Sequence, residues 1–340
     1  GVLLVTTDGI TSIDRLQTLV RRIVAGATAL SVLGIFQTLT GDNLAKYINI
    51  PGLSDSATFL ETEIRGDLVR PSVTAINPLE FAAVVGTCLP LAIYLARNDA
   101  LGLRNRRWLQ VALIGAAQVM TISRTGILAL IVVGVVLLPT WTRRERWRAY
   151  GAVLIGAFVL FLTVHGLLGT IKNLFLAFSS DSSTTSRTGA WSSAVPFIFQ
   201  HPWLGHGFGT FLPATYFFTD DQFLNTLIEA GFVGLLALLG LFVTGWFAAR
   251  SARRASDDHG VRDLGQCLAG SIAVAAVTFG TFDAFGFPMM ASLTFIILGC
   301  AGALWRLSRA TAPVPSFGRL QMSQLAFSAR AGGGLTSSDR

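Results

Sequence analysis

The sequence predicts an all-α, polytopic integral membrane protein, and three observations predict it. Hydrophobic residues make up 52% of the 340-residue chain and charged residues 13%, with a mean hydropathy of +0.59, an excess that a water-exposed domain could not cover with polar surface. The apolar residues fall in long, nearly continuous runs, the pattern of spans rather than of amphipathic elements. The charges fall between those runs, and their sign alternates from one connection to the next, as topology signals do. A pI near 10 would in a soluble chain point to nucleic acid. Here Lys46 and Lys172 are the only lysines, and the arginines cluster in short turns beside apolar runs, so the charge reads as orientation in the lipid bilayer, with no nucleic-acid partner.

About eight transmembrane helices are expected: Ile23 to Leu39, Leu79 to Ala96, Trp108 to Ile122, Thr125 to Thr140, Ala149 to Thr170, Thr226 to Ala249, Leu264 to Phe282 and Phe285 to Trp305. The apolar run Gly1 to Val5 reads as the tail of an earlier helix rather than a signal peptide. Arginine and lysine are retained on the cytoplasmic side. That rule places 20 basic residues inside and 6 outside, the outer ones being Lys46, Arg65, Arg70, Arg124, Lys172 and Arg187. Residues 1–310 then form one transmembrane domain with extracytoplasmic loops at 40–78 and 171–225. Residues 311–340, rich in Ala, Gly, Ser and Arg, read as a disordered cytoplasmic tail. Cys88, Cys267 and Cys300 each lie inside an apolar run with no CxxC pair and no histidine cluster, and are expected to pack as small hydrophobes. No metal site and no cofactor motif is read.

The longest polar interval, Ile171 to Asn225, is the expected seat of function. Every arginine on the outer face runs against the positive-inside bias and needs a reason. Arg65 reads as a solvated loop charge. Arg70 precedes Pro71 and Asn77-Pro78, which hold the chain extended or turned. Arg124 stands in Thr121-Ile122-Ser123-Arg124-Thr125-Gly126, a turn between helices of 15 and 16 residues; each covers about 23 Å at ~1.5 Å per residue, short of a ~30 Å hydrocarbon core. A guanidinium recessed there calls for an anion or a water-filled cavity, the alternative being an arginine that snorkels to headgroups. Ser186-Arg187-Thr188-Gly189 repeats the pattern on the same face. The planar arginine fork suits phosphate oxygens, so one diphosphate ligand would account for both copies. The alternative is that a Ser or Thr caps a helix while Arg187 pairs with a carboxylate such as Asp181.

Gly205, Gly207 and Gly209 follow no strand and open no βαβ unit, which excludes a dinucleotide reading. They are expected to let the loop turn sharply beside His201-Pro202-Trp203. His201 and His206 are either general bases or interface residues, and His165 is a packing residue. Asp220 and Asp221 precede a helix, where its dipole favours carboxylates, so capping competes with catalysis. Glu229 lies two turns into an otherwise apolar helix, a costly place for an acid unless it is paired or lines a cavity. Asp283, at an outer hairpin, is a lesser candidate of the same kind.

Four stretches together resemble the O-antigen ligase and O-antigen polymerase superfamily of bacterial glycan-assembly membrane proteins. They are Arg70-Pro71 through Asn77-Pro78; Thr121 to Gly126; Ser186-Arg187 to Trp191 followed by His201-Pro202-Trp203-Leu204-Gly205-His206-Gly207; and Asp220 to Gly234, which ends in Glu-x-Gly-x-x-Gly. The resemblance implies a fold like that of the multi-helix glycosyltransferases of the C type. It also implies about a dozen helices in full, so that N-terminal spans would be absent from this chain. It implies a bacterial cell-membrane enzyme that transfers a glycan from undecaprenyl diphosphate, on the extracytoplasmic face, to a hydroxyl of a glycan or lipid-linked glycan acceptor, without nucleotide, metal or cofactor. By the same resemblance Arg124 and Arg187 neutralise the diphosphate, with Arg70, His206 and Glu229 lining the substrate site and Asp220 or Asp221 serving the acceptor. Ligases carry histidine where this chain has Asp220, whereas other members carry aspartate. The competing classes are a transporter or flippase for lipid-linked glycans and a non-catalytic membrane scaffold.

Overall fold

The structure is a computed structural model describing residues 1–47, 63–65, 68–99, 103–163, 169, 182–211 and 215–310; the side chains of Arg65 and of residues 182–188 are outside that description. Lys172, His165, Asp181 and the tail 311–340 therefore lie outside the described residues. Among the described residues ten α-helices follow one another: α1 (Val2–Gly9), α2 (Ile13–Thr40), α3 (Pro78–Asn98), α4 (Arg104–Met120), α5 (Arg124–Leu137), α6 (Arg143–Thr163), α7 (Ser182–Gln200), α8 (Gln222–Ala255), α9 (His259–Phe279) and α10 (Pro288–Ala310). The described residues hold one two-stranded antiparallel hairpin, β1 (Ile64–Arg65) with β2 (Leu68–Val69), pairing Ile64 with Val69.

Within the described residues each expected apolar run is helical, the run from Ala149 being described as far as Thr163, and several helices begin earlier than the hydropathy marks because a polar residue caps them. Ser12 accepts the Arg15 N–H ahead of α2. Asn77 accepts the Glu80 N–H, with Pro78 at the first position of α3, and Asp258 accepts the Gly260 N–H ahead of α9. These side chains supply acceptors for the orphan donors of a first turn. Among the described residues five helices, α2, α3, α6, α8 and α10, are long and apolar enough to cross a membrane, against about eight expected for the chain. Helices α4 and α5 are shorter, at 17 and 14 residues. The opening run Gly1 to Val5, read as the tail of a helix, is part of α1, whereas α7 occupies an interval read as loop.

Helix α3 is buried on every side and packs against α4, α5 and α9, while α9 also meets α8, and α10 bridges α8 and α1. Small residues permit this closeness, as they do between membrane helices generally. A Cβ on Gly86 would lie 2.8 Å from the Ala129 Cβ of α5. The three cysteines are free and buried, as expected. Helix α6 exposes its apolar side chains all round.

The bundle has two chemically different ends. At one, arginines lock connections together: Arg97 pairs with Asp263 and Glu145 at 3.1 Å each and lies over the Trp141 ring. Arg21 and Arg107 share Asp99, and Arg250 and Arg253 both donate to the Gln266 carbonyl oxygen. At the other end, uncharged groups and a few acids tie loops to helix starts. Gln37 accepts the N–H groups of Ser72 and Val73. Glu80, fully buried, accepts N–H groups from Ile76 at 2.8 Å, Met289 at 2.9 Å and Met290 at 3.3 Å, joining the start of α3 to the start of α10.

Glu80→Ala would strand three donors, one buried and two part-buried. At roughly 1–3 kcal/mol for each unsatisfied group, thermal unfolding in detergent should fall sharply for Glu80→Ala and less for Glu80→Gln, which keeps one acceptor. Equal midpoints for the two variants would contradict this account.

Candidate functional site

The second end gathers the stretches singled out in the sequence. The turn 121–126 is recessed, with Thr121, Ser123 and Thr125 at most 2% exposed. The Arg70 Nε donates to the Thr121 carbonyl at 3.1 Å, and its Nη1 pairs with Glu63. Arg70 thus braces the turn from the segment between α2 and α3. Ile122 turns the corner at φ 46°, a left-handed conformation that costs a β-branched residue of order 1–3 kcal/mol. Arg124 is the first residue of α5, half-buried. A cation at a helix N-terminus opposes the helix dipole, so its placement there is not explained by helix stability. Beside it the Ser123 hydroxyl, 2% exposed, makes no hydrogen bond with a described residue.

From the same turn the Thr125 hydroxyl bonds the Thr281 hydroxyl at 3.0 Å, reaching the connection between α9 and α10. That connection in turn reaches α8. The Phe285 N–H donates to the Gln222 side chain at 2.6 Å, and the Asn225 Nδ2 donates to Asp283 Oδ1 at 3.3 Å. A continuous polar seam therefore runs from Arg70 through the Arg124 turn and residues 281–285 to the start of α8.

Asp220 and Asp221 have different situations. Asp221 is the N-cap of α8, its carboxylate accepting the N–H groups of Phe223 at 2.9 Å and Leu224 at 3.4 Å. This is the capping role the sequence allowed, and it accounts for Asp221 without chemistry. Asp220 stands at φ 48°. With Val73 and Ile122 it completes the set of non-glycine residues at positive φ among the described residues, and all three sit at this end. Asp283 lies in the connection between spans, and burial pushes its carboxyl above the ordinary range; the Asn225 N–H opposes this, while the nearby charges of Glu229 and Asp220 add to it.

The expected helix from Thr226 is not continuous. At Gly231 (φ 63°, ψ −164°) α8 breaks, and the Pro202–Gly207 loop inserts. In an unbroken helix the N–H groups of residues 232 and 233 would donate to the carbonyls of 228 and 229. Here Phe232 and Val233 donate to Pro202 and Trp203 at 2.8 and 3.2 Å, and the carbonyls of Ile228 and Glu229 accept from His206 and Gly207 at 3.1 and 2.8 Å. All four groups released by the break are satisfied. The approach is so close that a Cβ on Gly205 would lie 2.3 Å from the Glu229 backbone, and one on Gly231 would lie 2.4 Å from Trp203.

This docking assigns structural work to two residues expected to line the substrate site. Glu229, 5% exposed, accepts the Phe211 N–H at 3.3 Å and so holds the end of the loop. The His206 Nε2 lies 2.9 Å from the Phe197 carbonyl oxygen, pinning the loop to α7. Helix α7 in turn packs Ala190, Ala194 and Ile198 onto Leu224, Leu227 and Ile228 of α8. Arg187 falls within α7, but its side chain lies outside the described residues. Gln222, Asn225, Thr125 and Thr281 were missed by sequence reasoning. Gln222, Asn225 and Thr125 stood inside motifs already singled out, whereas nothing local marks Thr281.

Residues 109–239 match the family model described as O-Antigen ligase, a span running from α4 to just past the break in α8. It takes in the Arg124 turn, α7, the glycine loop and Asp220. The match supports the resemblance to the O-antigen ligase and polymerase superfamily, and with it a role in glycan assembly at a membrane. No curated protein matches the chain.

Two outcomes follow from this geometry. Gly205→Ala should abolish folded protein in size-exclusion profiles, because backbone must move. Gly209→Ala, at φ 73° with nothing within 4 Å of the added methyl, should cost only the left-handed conformation, about 1–2 kcal/mol. For Asp283, a carboxyl raised on folding gives stability that is present below its unfolded value and lost as pH rises through its folded one. The melting temperature of Asp283→Asn should therefore gain on that of the wild type as pH is raised from mildly acidic to neutral, and a difference independent of pH would refute the assignment.

Proposed function

We propose, starting from the O-antigen ligase domain in residues 109–239, that the protein transfers an oligosaccharide from a polyprenyl-diphosphate donor to an acceptor hydroxyl on the extracytoplasmic face of a bacterial cell membrane. The acceptor oxygen attacks the anomeric carbon of the donor sugar as the bond from that carbon to the diphosphate breaks. The hydroxyl proton passes to Asp220, and the diphosphate leaves with its negative charge held by Arg124 and Arg187. Stabilisation of a leaving group by fixed charge is commonly the largest catalytic contribution, and a carboxylate within reach of the hydroxyl serves as general base. Arg70 positions the Arg124 turn through the Thr121 carbonyl. Asp221, Glu229 and His206 hold the scaffold.

The observation that carries this reading is the polar seam joining the Arg124 turn to the start of α8 through Thr125, Thr281 and Asp283. It keeps a cation suited to phosphate and a strained aspartate at one end of the bundle. Two buried oxygens along it, Ser123 Oγ and Asn225 Oδ1, make no hydrogen bond with a described residue, as expected of a lining that a polar ligand completes. The arginine-rich opposite end then faces the cytoplasm, in keeping with the retention of cationic turns there.

The test is glycan transfer from a polyprenyl-diphosphate donor by purified variants at equal expression. Arg124→Ala and Arg187→Ala should each lower the rate by about 10²-fold or more. Asp220→Asn should lower it by about 10²–10⁴-fold, with Asp220→His recovering part of the loss. Wild-type rates for all of them would sink the proposal.

A further inference from the structure

We infer that α7 and the loop after it, through Phe208, are seated in the outer headgroup and acyl boundary of the bilayer, as an interfacial element bound to lipid rather than a loop standing in water. The inference is independent of the transfer chemistry. No Asp, Glu, Lys or Arg stands between Arg187 and Asp220, whereas a water-facing segment of this length ordinarily carries charge. The described part of α7 divides into three sectors, since successive residues advance by about 100°. Ala190, Ala194 and Ile198 pack onto α8. Trp191, Val195 and Phe199 form a second apolar stripe about 100° further round, and all three are exposed. Ser192, Ser193 and Gln200, with Pro196 between them, lie in the third sector and are also exposed.

A helix with one face on protein, one apolar and open, and one polar and uncharged matches the surroundings of a helix lying along an interface. The open stripe continues beyond the helix end into Trp203, 70% exposed, and Phe208, 80% exposed, with Phe199 itself 75% exposed. Tryptophan and large apolar side chains bared together mark a surface that is covered in place, and tryptophan is enriched at the membrane boundary.

Lipid is identified as the cover by continuity. The Trp203 ring meets the Phe232 ring at 6.2 Å, and Phe232 begins the exposed apolar flank of α8 that continues through Val233 and Leu236. That flank belongs to a helix long and apolar enough to cross the membrane. The bared stripe is therefore the upward extension of a lipid-facing surface, joined to it by the backbone bonds from Phe232 and Val233 to the loop.

The test uses the full chain in phosphatidylethanolamine and phosphatidylglycerol vesicles, with the native cysteines replaced by alanine. Phe199→Cys, Phe208→Cys and Ser193→Cys each carry an environment-sensitive fluorophore. Lipid bearing a nitroxide near the headgroup should quench the labels at 199 and 208 while aqueous iodide leaves them bright, and iodide should quench the label at 193. Quenching of 199 and 208 by iodide alone would overturn the inference, since the stripe would then face water or a soluble glycan. Protection from both quenchers would overturn it equally, because protein would then be the cover. The 199 and 208 labels are independent, so a misfolded variant at one site leaves the other to decide. Neither readout depends on transfer activity.

Discussion

A helix broken within a membrane protein releases backbone groups that hydrocarbon cannot satisfy, and most of the described outer architecture follows from how this chain meets that constraint at Gly231. The carbonyls of Ile228 and Glu229 and the N–H groups of Phe232 and Val233 all find partners in one loop. The exchange needs two backbones in contact, which is why glycine occupies both sides of it, at 205 and 231. Once the loop is docked, His206 fixes the end of α7 and Glu229 fixes Phe211. The short segment of α8 before the break is thereby held at the bundle's end, with Asp221 capping it and Asp220 immediately outside.

The two ends of the bundle solve different problems. Where arginines abound they pair with Asp99, Asp263 and Glu145 or share Gln266, so that charges drawn there by topology also fasten one connection to the next. Where arginines are rare, the fastening falls to Gln37, Glu80 and Gln222, each accepting backbone N–H groups from a neighbouring loop. Such bonds hold loops without filling the surface with charge. Arg70 and the turn carrying Arg124 are set among these bonds.

The spans were legible because burial in lipid and in the bundle selects the same apolar residues, and the polarity of the two ends was legible because arginine marks one of them. The motifs at Arg124, Gly205 and Asp220 stood out in the sequence, but their partners did not. Glu229 drew attention as an acid in an apolar helix, the right signal for a residue with a special task. In the structure it accepts a backbone bond from Phe211, a partner that depends on where a loop 18 residues upstream folds back. Helix α7 was hidden for a different reason. Its inward stripe of two alanines and an isoleucine is too short and mild to stand out among serines and threonines. The break in α8 was invisible because Glu-Ala-Gly-Phe reads as ordinary apolar helix until the loop that replaces its hydrogen bonds is known.

Depth joins these features. Helices α4 and α5, at 17 and 14 residues, rise about 26 and 21 Å, so the turn that carries Arg124 is recessed relative to spans long enough for a ~30 Å hydrocarbon core. Helix α7 carries Arg187 and, on the seating proposed for it, lies along the outer boundary where lipid phosphates reside. On the function proposed above, a diphosphate whose polyprenyl tail stays in the bilayer would have its phosphates at the depth between that turn and that helix. An aqueous donor has no need of a site at that depth, whereas a lipid-borne one has its leaving group at that boundary by its own chemistry. The recessed turn and the interfacial helix thus favour a substrate delivered from within the membrane.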